Sequence, residues 1–270
     1  MTLSTNIYFP TSETEKCFIK SIWRLQEFNF KKQTETILPK GVVEIIFNLS
    51  DNITYINFSS DNGITLPPCF INGLNFKPFK LIKNGQQLFL GIQLNVISLK
   101  CLFGIPAQEF NDTVVESSLV CESLNELYDQ LFLEKTFEKQ VEIIRNWLSH
   151  KISESKHTRT VHKIHRWFYT QEGEAKSVNE LSHKVGISDR QLRRLSTEWL
   201  GVNTEAYLLY KKYLTALQLL HNSDLSLTQI GLMSGYYDQS HFIREFKTFT
   251  NLTPTEYKSS FKGIPGHIFG

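Results

Sequence analysis

The chain has 270 residues, of which 41% are hydrophobic and 21% are charged, and its formal net charge is +2 at pH 7. This composition is that of an ordinary globular protein with room for two domains, and it excludes a disordered or fibrous chain. Residues 1–150 carry 13 Lys and Arg against 16 Asp and Glu, whereas residues 151–262 carry 16 against 11. A basic second half favours a polyanionic partner, although an imbalance of this size also arises by chance.

The N-terminal segment, MTLSTNIYFP, lacks the basic and apolar regions of a signal peptide. The most apolar window, residues 88–105, is interrupted by Gln93, Asn95 and Lys100, which argues against a membrane span and favours buried strands. We therefore expect a cytoplasmic protein with no membrane partner. The cysteines are dispersed without a C-x-x-C pair, so we expect reduced core residues, no metal and no cofactor. The four cysteines are Cys17, Cys69, Cys101 and Cys121.

Between Ile7 and about Val120 the sequence has short apolar runs bounded by turn residues, such as VVEIIFNL at 42–49. A second run, KLIKNGQQLFLGIQL at 80–94, carries Asn84-Gly85 between β-prone arms, which is typical of a hairpin. We predict a mostly β domain over this region.

The hydrophobic period becomes helical from Ser123 onward. Its apolar stripe has two interpretations, packing against the β domain, which is the simpler one, or a dimer surface. The polar stretch SHKISESKHTRT at 149–160 is predicted to be a linker. We thus expect a β-rich sensor or dimerisation domain with C-terminal helices over 1–150, and an all-α domain over 151–270. The stripe comprises Leu124, Leu127, Leu131, Val141, Ile144 and Leu148.

A helix-turn-helix pattern occupies residues 177–201, SVNELSHKVGISDRQLRRLSTEWLG. It has an apolar stripe, a small residue where the helices cross, a turn glycine and an apolar corner residue. Ser188 is placed to cap the second helix, whose inner face is apolar. The residues in these roles are Leu181, Val185, Ser182, Gly186, Ile187, Leu192 and Leu195.

The pattern recurs in residues 226–257, SLTQIGLMSGYYDQSHFIREFKTFTNLTPTEY. Here the turn glycine lies one residue farther from the inner face than in the first copy, which predicts a longer turn. The residues between the copies, 204–224, contain no Gly or Pro and predict one continuous helix. The structural residues of the second copy are Ile230, Gly231, Gly235, Tyr236, Phe242 and Phe246.

This arrangement resembles the DNA-binding domain of the AraC/XylS family of transcriptional regulators. The resemblance lies in LSHKVGISDRQLRRL, GVNTEAYLLYKKYLTALQLL and DLSLTQIGLMSGYYDQSHFIREFKTFTNLTPTEY, about 80 residues in the family's order. Ser196 stands where the family usually has Phe, Thr204 where it often has Pro, and Asn251 where Gly is usual. We expect Trp199 to fill the space left by Ser196, and Asn251 to adopt a left-handed conformation.

The resemblance implies that outward residues of the two recognition helices face DNA, where Arg, Gln and small polar groups read base edges. Arg194 is expected to pair with an acid or contact phosphate, and Lys247 to contact phosphate at most. A solvated helix face is the alternative for each position. The candidate DNA-binding residues are Arg190, Gln191, Arg193, Arg194, Gln239, Ser240, His241, Arg244 and Lys247. The implied partners are double-stranded DNA and RNA polymerase, with the regulator acting as a monomer or homodimer and as an activator or a repressor.

The first half resembles, through ILPKGVVEIIFNLSD, INGLNFKP and LGIQLNVISLKCLFGIPAQEFNDTVV, the β-rich domain that precedes this module in one branch of the family. That resemblance implies a cupin-like barrel that senses a small-molecule effector, mediates dimerisation, or does both, but it identifies no ligand-contact residues. The expected fold class is therefore α+β, with a cupin-like domain followed by two helix-turn-helix motifs.

An enzyme is the competing class. No histidine occurs in residues 1–149, so a His-based metal site or triad cannot be built from that half alone. Glu35 and Glu44 are expected to be solvated or salt-bridged, and His157, His162 and His165 to lie on a basic helix surface. We therefore expect no catalytic activity. A third possibility is control by dimerisation without a small ligand.

Overall fold

The computed structural model describes residues 3–57, 63–170, 175, 177–261 and 266–269, without the side chains of residues 3 and 28–31. These residues form a nine-stranded antiparallel sheet followed by a series of helices. The expected α+β fold, with a β-rich domain ahead of a helical domain, is confirmed, but the region predicted to be all-α returns to the sheet as a strand at residues 267–269. The strands are β1 (Leu3–Tyr8), β2 (Ile19–Ile37), β3 (Val43–Asn48), β4 (Thr54–Asn57), β5 (Ile64–Thr65), β6 (Cys69–Asn72), β7 (Phe79–Leu94), β8 (Val114–Glu116) and β9 (His267–Phe269).

The long strands β2 and β7 form the centre of the sheet. The strand order is β1-β2-β7-β3-β6-β8, with β4 paired to β5 and β7, and β9 paired to β2. β7 lies along one edge of β2, while β1 pairs with residues 22–27 and β9 with residues 35–37 on the other edge. The first and last described strands therefore lie one after the other along the same edge of β2.

The hairpin predicted at Asn84-Gly85 is wrong, because β7 continues through both residues. Gly85 has φ +77°, close to a break in the register between β2 and β7. The Asp51 carboxylate accepts a hydrogen bond from the backbone N–H of Gln86 at 2.9 Å and supports this irregularity. The dipeptide therefore lies within one strand, opposite a bulge in β2, instead of forming a turn between two strands.

In the part of the chain that the structure describes, five α-helices precede the helix-turn-helix region. The predicted apolar stripe lies on α3 and α4, and all six of its side chains are buried in the core, so it packs within the chain. The apolar window 88–105 is strand only as far as Leu94, and a helix follows. The helices are α1 (Glu13–Phe18), α2 (Ser98–Phe103), α3 (Ser123–Leu133), α4 (Phe137–Glu154) and α5 (Thr158–Tyr169).

The linker predicted over 149–160 is largely helical, so that prediction is wrong. α4 extends to Glu154, whose carboxylate lies 3.5 Å from the ammonium of Lys151, a spacing that supports a helix. At the break before α5, the Ser155 hydroxyl donates a hydrogen bond to the Cys101 carbonyl at 2.7 Å. The junction is thus held against α2.

Among the described residues, six helices follow α5, and one cluster of buried residues extends from the sheet into them. The cysteines are free, and three of them are buried as expected, while Cys121 is half-buried. Among the helices in the described segments, none is long and apolar enough to cross a membrane. The six helices are α6 (Val178–Val185), α7 (Asp189–Leu200), α8 (Thr204–Asn222), α9 (Leu227–Met233), α10 (Gln239–Thr250) and α11 (Pro254–Ser260).

Candidate nucleic-acid interface and the cavity behind it

The first helix-turn-helix unit consists of α6 and α7. Gly186 ends α6 in the left-handed conformation, with φ +70°. The Ser188 hydroxyl then accepts a hydrogen bond from the backbone N–H of Gln191 at 3.3 Å and caps α7. Leu181 and Leu192 are fully buried between the helices. The turn, the cap and the apolar inner face predicted for this unit are confirmed.

The second unit consists of α9 and α10. A Cβ atom on Gly231 would lie 3.2 Å from the Cβ of Phe242, which shows how closely the two helices approach. Its turn, residues 234–238, is longer than the first, residues 186–188, as predicted. Asp238 caps α10 by accepting a hydrogen bond from the backbone N–H of His241 at 2.7 Å.

The remaining structural residues support the same two units. The Ser182 hydroxyl donates to the Ile187 carbonyl at 2.6 Å, and Gly235 has φ +85°. The predicted inner faces include side chains that are buried and side chains that are half-buried. Ile230, Tyr236 and Phe246 are buried, while Val185, Ile187 and Leu195 are half-buried.

Two residues that depart from the family pattern, Ser196 and Thr204, contact each other. The buried hydroxyls of Ser196 and Thr204 lie 2.8 Å apart, and Ser196 also donates to the Leu192 carbonyl at 2.9 Å. Trp199 packs against the ring of His157 and the ammonium of Lys100, and its expected filling of the space left by Ser196 stays a prediction.

The left-handed conformation predicted for Asn251 is confirmed. It ends α10 at φ +60°, the left-handed conformation for which Gly is the usual residue.

On α7, the candidate DNA-binding residues Arg190, Gln191, Arg193 and Arg194 are exposed. The guanidinium of Arg193 lies 2.6 Å from the carboxylate of Glu205 at the start of α8, and both side chains are about half exposed. The sequence analysis considered such a pairing for Arg194, whereas the structure forms it at Arg193.

On α10, Ser240, Arg244 and Lys247 are exposed, while Gln239 and His241 are half-buried. The side-chain carbonyl of Gln239 accepts a hydrogen bond from the Thr228 hydroxyl at 2.6 Å. The carboxylate of Glu245 lies 3.7 Å from Arg244 and 3.9 Å from His241. The polar face of α10 therefore has internal partners that DNA would have to compete with.

The connecting helix α8 contacts the sheet domain through tyrosines. The Tyr210 hydroxyl donates to the Asn75 carbonyl at 2.8 Å and accepts from the Gly41 N–H at 3.0 Å. The Tyr213 hydroxyl donates to the Pro39 carbonyl at 3.0 Å. These contacts were not predicted from the sequence. The tyrosines spaced three residues apart in the predicted helix were the signal that could have indicated them.

The end of the chain also returns to the sheet. The backbone N–H of Leu38 donates to the Gly266 carbonyl at 2.8 Å, and the Gly266 N–H donates to the Tyr257 hydroxyl at 3.0 Å. Tyr257 belongs to α11, and its ring centroid lies 5.9 Å from that of Phe246 in the second recognition helix. A short series of contacts therefore joins β9 to that helix.

The sheet surrounds a cavity of about 480 Å³. Most of its wall is apolar, but it contains a buried ionic cluster in which the Lys83 ammonium lies 3.0 Å from Glu27 and 2.6 Å from Glu35. The Nδ1 atom of His267, from β9, lies 2.5 Å from Glu35. Burial alone would raise the pKa of Glu35, but the hydrogen bond from His267 and the charge of Lys83 lower it to about 2.

The same ionic cluster also shifts the pKa values of Lys83 and His267. Burial would lower the pKa of Lys83, but the two glutamates outweigh it and raise that pKa. For His267, burial and the charge of Lys40 lower the pKa, although Glu35 opposes them. At neutral pH the carboxylate of Glu35 and the ammonium of Lys83 are therefore charged, and the imidazole of His267 is neutral.

Residues 1–149 contain no histidine, but the fold brings His267 from the last described strand into the cavity wall. Glu44 lies 3.7 Å from Lys40, so both glutamates named in advance are salt-bridged.

The histidines near α5 have separate neighbours: Trp199 for His157, Cys17 for His162 and Tyr169 for His165. Within the described segments, no group of three or more His, Cys, Asp or Glu residues could hold a metal ion.

Comparison with known proteins gives two family matches. Residues 181–260 match a helix-turn-helix domain, and residues 10–116 match a domain of unknown function, DUF6597. The probable transcription factor PqrA of Proteus vulgaris is 29% identical over 111 residues, which are 40% of this chain and 91% of PqrA. Other curated relatives are 37% identical over 82 residues, and the chain spans 11% of their length.

Solved structures give matches of two kinds. A transcriptional regulator with an AraC-type DNA-binding domain from Chromobacterium violaceum is 30% identical, with 37% of this chain and 93% of that chain covered and a TM-score of 0.35. ToxT from Vibrio cholerae, solved with an unsaturated fatty acid, covers 97% of this chain and 96% of its own, at 13% identity and a TM-score of 0.48.

Two complete helix-turn-helix units, each with an exposed polar recognition helix, and sequence relatives that are transcription factors lead to one assignment. The chain belongs to the AraC/XylS family of DNA-binding transcription regulators.

Proposed function

We propose that this regulator reads an asymmetric DNA site with both recognition helices, and that a small molecule in the sheet cavity modulates this binding. One observation carries the second part: β9, which follows the helix-turn-helix region, supplies His267 to the cavity wall. The DNA-binding half and the cavity thus share a structural element.

The DNA contacts are proposed residue by residue. Arg190, Arg193 and Arg244 would reach guanine or phosphate, and Gln191 and Gln239 would reach adenine. Ser240 and His241 would complete the base contacts of α10, and Arg194 and Lys247 would contact phosphate. Seven of these nine side chains are exposed near one face of their recognition helix, and Gln239 and His241 are half-buried, which supports this assignment.

The length of α8 supports simultaneous docking. Its 19 residues span about 28 Å at 1.5 Å per residue. Successive major grooves on one face of DNA repeat every ~34 Å, a distance that the flanking helices can complete. One chain would therefore contact two grooves.

The loop of residues 38–41 supports coupling between the cavity and the helices. Lys40 lines the cavity, while its neighbours Pro39 and Gly41 bond to tyrosines of α8. On the far side, Leu38 bonds to Gly266 next to β9. A change in this loop would therefore reach the connecting helix and the C-terminal segment together.

We place the functional division near residue 150, with sensing and dimerisation in 1–150 and DNA binding in 151–270, apart from β9, which completes the cavity with His267. Contact with RNA polymerase belongs to the same proposal. Catalysis does not, since the buried ionisable residues of the cavity are engaged with one another.

DNA binding is tested with the full chain and duplexes taken from a genome-wide map of its bound sites. The affinity should fall steeply with salt, because several Lys and Arg residues displace phosphate counterions. Binding that does not depend on salt, or no binding to any mapped site, would remove the basis for this mode of recognition.

Coupling is tested by hydrogen exchange with and without the operator duplex. Because coupling between sites is reciprocal, DNA should change the protection of peptides covering residues 35–45 and 266–269. Tyr213→Phe, which loses the bond to Pro39, should reduce that change. Tyr207→Phe is the matched control, since its hydroxyl donates to Phe168 within the helical half. No change near the cavity would argue against effector control.

Control by dimerisation is the second candidate. Two exposed apolar residues, Phe132 and Leu133, lie at the C-terminal end of α3, and a third, Leu119, lies in the short 3-10 helix before its N-terminal end. Light scattering across a concentration series would show a dimer that Phe132→Ser and Leu133→Ser disrupt.

A further inference from the structure

The cavity has more buried negative than positive charge. The described side chains that line it include three glutamates, Glu27, Glu35 and Glu44, against two lysines, Lys40 and Lys83. His267 does not balance the difference, because burial and Lys40 lower its pKa and leave it neutral near pH 7. A buried carboxylate without a matching cation is costly.

The indole N–H of Trp23 in the wall is a buried donor without a hydrogen-bond partner, whereas the atoms left at the ionic cluster are acceptors. Lys83 bonds one oxygen of Glu27, while the other, Oε1, is buried with no hydrogen-bond partner. With Nδ1 of the neutral His267 ring donating to Glu35, the Nε2 atom of the ring is also an acceptor. An anionic group would meet these acceptors and the surplus negative charge, whereas a donor would satisfy them.

The rest of the wall suits an apolar body. Phe70, Phe79, Phe89 and Tyr55 belong to a buried cluster on this side of the sheet. Aromatic faces also attract cations. At the mouth, Ile7 and Phe9 remain exposed beside the cavity, as apolar residues that a ligand would pass or cover. The volume, about 480 Å³, is within the usual range for small-molecule sites.

We propose that the cavity binds an apolar molecule carrying one protonated amine, with the ammonium held by Glu27 and by His267 of the C-terminal strand. This inference rests on the proposal that the cavity holds an effector, and it specifies the chemical class of that effector. His267 makes the site incomplete without the last strand, so the same ligand contacts the segment that leads back to α11.

Three probes with the same chain length test the class: decylammonium, decanol and decanoate, each below its micellar concentration. Calorimetry on the full chain at pH 7.5 should show decylammonium binding at least tenfold more tightly than decanoate. Decanoate binding equally or more tightly would overturn the proposal. So would the absence of binding by all three.

Variants test the contacts. Glu27→Gln should weaken decylammonium binding by about tenfold or more, because a hydrogen bond to a charged group is lost, while decanol affinity changes by less than about twofold. His267→Ala should weaken decylammonium binding in the same direction. Glu13→Gln, on the exposed side of α1, is the matched control and should leave all three affinities unchanged.

The ratio of decylammonium to decanol affinity separates a lost contact from a damaged fold, since a damaged fold lowers both affinities. An unchanged ratio in Glu27→Gln would overturn the assignment of the ammonium site. DNA affinity is measured on the same preparations without a probe. A chain that binds its operator but none of the probes would disprove the ligand class and leave the DNA-binding function intact.

Discussion

The two helix-turn-helix units have the same design but are attached to the sheet domain differently. In the first, Glu198 of α7 forms an ion pair with Lys100 of α2. The Asn111 side chain also donates to the Gly201 carbonyl at 2.9 Å. In the second, the inner face of α10 packs on aromatic residues of other helices, such as Tyr213 and Tyr257. The first unit is thus held by polar contacts to the sheet domain, and the second through a helical core.

The difference indicates how the sheet domain could act on each unit. The contacts of α7 involve α2 and the segment before β8, away from the residues that line the cavity. The second unit is linked to the cavity wall through Tyr257, Gly266 and His267. We therefore expect the cavity to influence the second recognition helix more than the first.

The largest expected effect is on the core of the second unit. Phe242 is fully buried, with its ring near those of Tyr236 and Phe246, so Phe242→Ala should lower the free energy of unfolding by about 3–5 kcal/mol. Leu192→Ala at the equivalent position of the first unit should cost about 2–5 kcal/mol. Urea denaturation of both variants measures this. A loss below about 1 kcal/mol for Phe242→Ala would contradict the helical core described here.

Acid should loosen the link between the second unit and the cavity. The pKa of Glu35 is lowered to about 2 in the fold, so its contribution to stability is present above its ordinary pKa and is lost as the pH falls from about 5 toward 2. The loss should reach about 3 kcal/mol. The lowered pKa of His267 acts in the same direction, because protonation below its ordinary pKa favours the unfolded chain.

Urea denaturation from pH 7 to pH 2 measures this effect, with Glu35→Gln as the comparison. The variant should be less stable at pH 7 and should show a shallower acid loss. Equal pH dependence in both chains would mean that Glu35 is not held by His267 and Lys83 as the structure shows.

Local patterns predicted the helical half well, because each unit is specified by neighbouring residues: Gly186 for the turn, Ser188 for the cap, and Asn251 for the left-handed end. The sheet domain was predicted less well. Asn84-Gly85 has the composition of a hairpin turn, but pairing with the distant strand β2 keeps it within one strand. The approach of His267 to Glu35 depends on a strand that closes over more than 200 intervening residues, a contact that no local pattern encodes.

A moderate effect is expected on the polar face of α10. If Arg244 contacts a base edge and Lys247 a phosphate, Arg244→Ala should cost about 1–3 kcal/mol of binding on the preferred site and relax its sequence preference. Lys247→Ala should weaken binding to all DNA sequences alike and reduce the slope of log affinity against log salt concentration by about one. Anisotropy titrations on the preferred site and its single-base variants measure both, with thermal melts as a control for folding. Unchanged affinity and preference in Arg244→Ala would make this face a solvated surface.

The smallest expected effect compares the acids beside the two recognition helices. Glu205→Gln removes the partner of Arg193 in the free chain, an exposed pair of a kind that contributes about 0.2–1 kcal/mol. Because the arginine is then released for DNA and a negative charge near the phosphates is lost, DNA affinity should rise by up to about fivefold, more at low salt than at high salt. Glu245→Gln is the matched change in the second unit, where the carboxylate lies 3.7 Å from Arg244 and is less exposed. Its affinity gain should be the smaller, since a 3.7 Å approach is looser than the 2.6 Å contact at Arg193. A loss of affinity in Glu205→Gln would mean that the ion pair orients Arg193 for DNA instead of competing with it.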